Sequence, residues 1–157
     1  MKLFYPILAV LALLTSSAHA LDALVPMETG VMRIEASASA KDELIQAMPD
    51  AQERDMRQGP DGRWHLLSQP DAVNEFYFLR ISRYPTRSTM RYRIKLGPEG
   101  VSRLEKLTTS GDDLAILVAG ELIEVRPSNS SMNELTITCP RSSSTCIPEM
   151  SRLTKRE

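Results

Sequence analysis

The chain has 157 residues, 42% of them hydrophobic and 25% charged, which is ordinary globular composition and room for one domain rather than two. Nineteen basic residues against twenty acidic ones leave a net charge of -1, so no overall field exists to hold nucleic acid or an anionic membrane surface.

Residues 1–20 read as a secretory signal peptide. Lys2 gives a positive start, the run from Pro6 to Leu14 is apolar, and Ala18-His19-Ala20 places small residues around a cleavage point. The greasy run falls short of the roughly 20 residues that cross a bilayer. No later stretch is longer than Leu114 to Ala119, so no integral membrane segment is expected after leader removal. The mature chain is expected to be soluble and periplasmic or secreted, with residues 21–30 as a flexible lead-in and 31–157 as a single domain. His19 leaves with the leader, and His65 is then the sole histidine.

Along the domain, VMRIEA alternates with Met32, Ile34 and Ala36 on one side, as a half-buried strand does. Ser39 and Asp42 suggest a capping box for a short helix through Leu44, Ile45 and Met48, stopped by Pro49. Residues 50–62 end in Gly59-Pro60-Asp61-Gly62 and predict a turn-rich linker with one further helical turn. A strand through Trp64 and Leu66 is predicted to break at Gln69-Pro70-Asp71, with a second strand in EFYFLRI up to Tyr84-Pro85. TMRYRIKL alternates cleanly: Met90, Tyr92, Ile94 and Leu96 for the core, Arg91, Arg93 and Lys95 for solvent.

Gly97-Pro98-Glu99 opens the clearest helix, since proline suits its first position and glutamate the positive end of its dipole. Val101, Leu104 and Leu107 form its expected buried stripe, and Glu99 can meet Arg103. LAILV, apolar throughout, belongs in the middle of a sheet covered on both faces. Ala119-Gly120 turns the chain into LIEV, Pro127 closes that strand, and residues 133–139 alternate as another. A short helix is the weakest element, over Pro148 to Arg156. The order predicts an α+β fold, a mainly antiparallel sheet with two helices packed on one face.

In an oxidising compartment Cys139 and Cys146 are expected to pair. CPRSSSTC closes a short ring, a staple contributing roughly 2.5 kcal/mol in the chain-entropy model. Six residues separate the two cysteines where dedicated thiol exchange uses two. The loop, with Arg141 at its tip, is also a candidate interaction surface.

Catalytic sets are scarce. Ser68, three positions from His65 on a presumed strand, points to the opposite side of the pleat, and His65 reads as a half-exposed strand residue beside Trp64. One histidine and two paired cysteines do not furnish a zinc site, and no phosphate-cradling glycine motif occurs. No catalytic residue, metal or cofactor is therefore assigned. The unusual feature is cationic: Arg80, Arg83, Arg87, Arg91, Arg93 and Lys95 occur with no acid between Glu75 and Glu99. Paired strands would gather Arg80, Arg91, Arg93 and Lys95 into a binding face for a protein or peptide partner. Alternatively, Glu121, Glu124 or Glu134 on neighbouring strands neutralise it.

The stretch IKLGPEGVSRLEKLTTSGDDLAILVAGELIEVRP resembles the head subdomain of the large periplasmic domain of SecD, the accessory subunit of the bacterial protein-export channel. The matching positions are Leu96, Glu99, Gly100, Leu107, Thr108, Leu114, Ala115, Ile116, Gly120 and Pro127, with NELTIT resembling the next strand, about residues 88–138 in all. The family's Asp-Gly turn is Ala119-Gly120 here, so that turn differs or holds alanine at a cost. Neither the membrane helices of that family nor a counterpart of Cys139 and Cys146 enters the match. The resemblance implies an exported, soluble, non-enzymatic binding module contacting unfolded or envelope proteins. The alternative is a secreted or periplasmic enzyme inhibitor or immunity-type protein using the Cys139–Cys146 loop.

Overall fold

The computed structural model describes residues 29–127 and 134–156. In chain order these form β1 (Gly30–Ala38), α1 (Lys41–Ala47), a 3-10 turn (Glu53–Asp55), β2 (Met56–Gln58), β3 (Trp64–Asn74), a second 3-10 turn (Glu75–Tyr77), β4 (Phe78–Pro85) and β5 (Thr89–Leu96). There follow α2 (Pro98–Thr109), β6 (Leu114–Val118), β7 (Glu121–Arg126), β8 (Leu135–Pro140), α3 (Cys146–Leu153) and a last 3-10 turn (Thr154–Arg156). The expected leader and residues 21–28 of the expected lead-in lie outside the described residues. The end of that lead-in is part of the fold: Thr29 is fully buried and Gly30 begins β1.

The α+β class holds, with one difference in layout. The strands divide between two antiparallel sheets, a five-stranded one in the order β2-β3-β1-β6-β7 and a three-stranded one in the order β4-β5-β8. The main core lies where the sheets face each other. Val31, Val73, Leu114, Ile116 and Val118 come from the larger sheet, Tyr92, Ile94, Leu96, Leu135 and Ile137 from the smaller, Leu104 and Leu107 from α2, Met150 and Leu153 from α3. Removing such side chains from water contributes roughly 1.5–3 kcal/mol each. Among the described residues no helix is long and apolar enough to cross a membrane.

The larger sheet is buried on both faces. β6 sends Leu114, Ile116 and Val118 into the main core, while Ala115 and Leu117 join Met32, Ile34, Leu67, Ala72 and Leu122 in a second cluster. That double burial is why LAILV carries no polar residue. The two edges of the sheet, β2 and β7, come back into contact. Arg57 Nε donates to Gly120 O at 2.9 Å, drawing β2 to the turn before β7. A third cluster, Leu44, Met56 and Leu66, lies under α1.

Several local expectations are corrected. β3 does not break at Pro70: the residues between Ser68 and Val73 fall in a register shift against β1, and β2 pairs only as far as Leu66, so Pro70 removes no ladder hydrogen bond. Asp71 takes a positive φ of 61° there. In α2 the inward position is Gly100, not Val101, which is 40% exposed. Tyr77 packs so closely that a Cβ on Gly100 would lie 2.6 Å from Tyr77 Cβ. The Ser39–Asp42 box is absent; instead Ser39 N donates to Glu43 Oε2 at 3.1 Å. Ala119 (φ 51°) and Gly120 (φ 76°) both take the left-handed conformation that a two-residue type I′ hairpin requires, so alanine is held at a cost.

Candidate functional site

The smaller sheet has one face in the core and the other open. From Arg91 onward burial along β5 alternates strictly, with Tyr92 and Ile94 fully buried and Arg91, Arg93 and Lys95 exposed. β4 lies antiparallel in a register that sets Arg80 opposite Lys95, Ser82 opposite Arg93 and Tyr84 opposite Arg91. On the other flank Thr138 and Thr136 of β8 stand opposite Arg91 and Arg93. The strand pleat thus brings all four expected residues, Arg80, Arg91, Arg93 and Lys95, to one face, among hydroxyls and one phenol ring.

The electrostatics of this face are only partly balanced. Arg93 Nε lies 3.0 Å from Glu134 Oε2, and its guanidinium stacks 5.2 Å from the centre of the Tyr84 ring. Among the described residues Arg80, Arg91 and Lys95 make no ion pair. Of the other acids that the sequence offered as neutralisers, Glu124 binds Arg126 at 2.7 Å, and Glu121 sits on β7 in the other sheet. Arg80 opposite Lys95 is a like-charge cross-strand pair, an arrangement that destabilises the sheet by itself.

The disulfide Cys139–Cys146 is present, with Cα atoms 5.6 Å apart and both residues fully buried in the main core. Its ring does not project freely. Arg141 N donates to Ser88 O at 3.2 Å and Arg141 Nη2 to Thr86 O at 2.6 Å, so the ring is fastened to the β4–β5 turn.

His65 differs from its expected half-exposed state: it is 2% exposed. Ser68 does bond elsewhere, receiving Arg33 Nη2 at 3.4 Å. The partners of His65 are Ser37, across the β1–β3 ladder, and Asp61, in the turn before β3. No spacing rule finds Ser37, 28 residues away, because the pairing depends on register. No family model, curated protein or solved structure matches this chain.

Proposed function

We propose that the chain is an exported binding module, resembling the SecD head, that holds acidic, extended segments of unfolded or envelope proteins against the open face of the β4–β5–β8 sheet. The observation that carries this reading is the unbalanced cationic row, with Arg80 and Lys95 directly opposed and a single carboxylate, Glu134, at 3.0 Å from the row among the described residues. An anionic partner relieves that repulsion and gains charge-assisted hydrogen bonds. Same-face neighbours on β5 repeat at roughly 6.8 Å, the period of alternate residues in an extended chain, so carboxylates two residues apart meet successive cations. The run of strand, helix, two strands joined at Ala119-Gly120 and a further strand is also what the SecD resemblance implies.

The plug reading is weaker, because Arg141 at the tip of the Cys139–Cys146 ring is turned back onto Thr86 and Ser88. The test is capture of a peptide with glutamates at alternate positions by the mature protein. Arg91→Glu with Arg93→Glu should reduce its affinity by about tenfold or more, and raised salt should weaken the wild-type complex. Unaltered affinity in a variant that still melts cooperatively removes the face from consideration.

A further inference from the structure

Away from the cationic face, at the end of the larger sheet, three side chains form a chain of contacts that the binding reading does not use. Ser37 on β1 stands directly opposite His65 on β3, with Oγ 2.7 Å from Nδ1. On the far side of the ring, Nε2 lies 3.4 Å from Asp61 Oδ1. The imidazole is buried, while Ser37 and Asp61 are exposed. A base sheltered from water thus has its nucleophile at the surface.

The turn between β2 and β3 sets this arrangement. Gly59 N donates to Arg63 O at 2.8 Å and Gly62 N to Gly59 O at 3.0 Å, and Arg63 N donates to Asp61 Oδ1 at 3.1 Å. A Cβ on Gly59 would lie 2.9 Å from His65 Nε2 and 2.7 Å from Asp61 Oδ1, so a bare backbone lets the turn close on the ring. The Arg63 N–H bond is the main cause that holds the Asp61 carboxyl below its ordinary value; burial opposes it, and the hydrogen bond and charge of His65 add smaller lowering effects, so the group is ionised at neutral pH. A carboxylate accepts only, so Nε2 is assigned the proton and Nδ1 is left with its lone pair toward the Ser37 hydroxyl.

Nucleophile, base and orienting carboxylate therefore stand in the order that activates serine, with the two ring nitrogens exchanged relative to the familiar serine-protease triad. We propose that Ser37 is a nucleophilic serine that accepts the acyl group of a carboxylic ester. Ser37 Oγ adds to the carbonyl carbon and its proton passes to His65 Nδ1. The carbon–oxygen bond to the alcohol breaks, and the departing alkoxide takes that proton. Water then adds to acyl-Ser37 by the same route, releasing the acid and restoring the hydroxyl, so one ester and one water give one acid and one alcohol. Asp61 is a positioning residue. Across β2 the charged group opposite His65 is Arg57, whose guanidinium is bonded to the carbonyls of Gly120, Arg54 and Met56.

The mature protein treated with 4-nitrophenyl acetate, and separately with a fluorophosphonate, tests this by peptide mass spectrometry. The expected result is one adduct, on Ser37, forming about 100-fold faster than on Ser39, an exposed serine two residues along the chain with no imidazole beside it. Ser37→Ala should abolish it. Asp61→Asn should slow it at least about tenfold with the melting temperature little changed, a split that a merely structural role does not produce. Ser102→Ala, at an exposed serine on α2, should leave it unchanged. Equal labelling of Ser37 and Ser39, or no adduct on folded protein, overturns the proposal.

Discussion

The two sheets use their faces differently. The five-stranded sheet buries apolar side chains on both sides, and its interior strand β6 has no polar residue. The three-stranded sheet buries one side and gives the other to arginine, lysine, threonine and tyrosine. A strand buried twice is committed to stability. A strand buried once has half of its side chains free for recognition, and its outward residues can change without disturbing the core. The polar Ser37–His65–Asp61 set lies at the end of the larger sheet, beyond the part of β1 that pairs with β6.

The sharpest way to break this contrast is a matched pair of truncations. Ile116→Ala on β6 should cost about 3–4 kcal/mol, read as a fall in the urea midpoint, because it removes a fully buried side chain from the facing-sheet core. Lys95→Ala on β5 should change stability by no more than about 0.5 kcal/mol. A similar loss for both would show that the open face is not free of structural duty. Next in size, replacing both Cys139 and Cys146 by alanine should cost roughly 2.5 kcal/mol by loss of the cross-link, with a lower melting temperature.

A smaller effect lies at the β6–β7 turn. Ala119→Asn puts a residue that tolerates positive φ at the 51° position and should stabilise by about 0.5–1 kcal/mol in the same urea titration. The smallest is a pH effect. Lys41 Nζ, 2.6 Å from Glu53 Oε2, lowers the Glu53 carboxyl below its ordinary value of 4.5, chiefly through that hydrogen bond and then through charge. A lowered carboxylate stabilises the fold above the unfolded value, and this contribution disappears as pH falls through the folded value. Glu53→Gln should therefore lower neutral stability slightly and converge with the wild type in acid, which flattens the acid limb of the stability curve below about pH 4.5.

How much the sequence disclosed follows from what each element depends on. β5 was legible because its alternation is local, and α2 because Pro98 and Glu99 mark its start; both follow the expected boundaries closely. β2 was not, since Met56–Gln58 is too short to show a period, with Met56 its one apolar residue, and becomes a strand by pairing with β3. The continuity of β3 was hidden by Pro70, whose harmlessness depends on a register shift 37 residues away at Arg33. The cationic face was half legible: the row on β5 was visible, whereas the opposition of Arg80 to Lys95 and the lone pairing of Glu134 needed the register. Ser37 stayed hidden for the same reason. Alternation tells which way a side chain faces, and never which side chain it meets.

Arg141 extends to the hairpin tip a pairing that already sets Pro140 opposite Thr89 and Cys139 opposite Met90. Its main-chain and guanidinium bonds to Ser88 and Thr86 tie the Cys139–Cys146 ring to the tip of the hairpin that carries the cationic row. Closing the sulfur bridge therefore acts as a strut on that hairpin, and the row gains its full stiffness only where thiols are oxidised. A still reduced chain would present the same charges on a looser frame, so the proposed capture of acidic segments should weaken when the bridge is reduced.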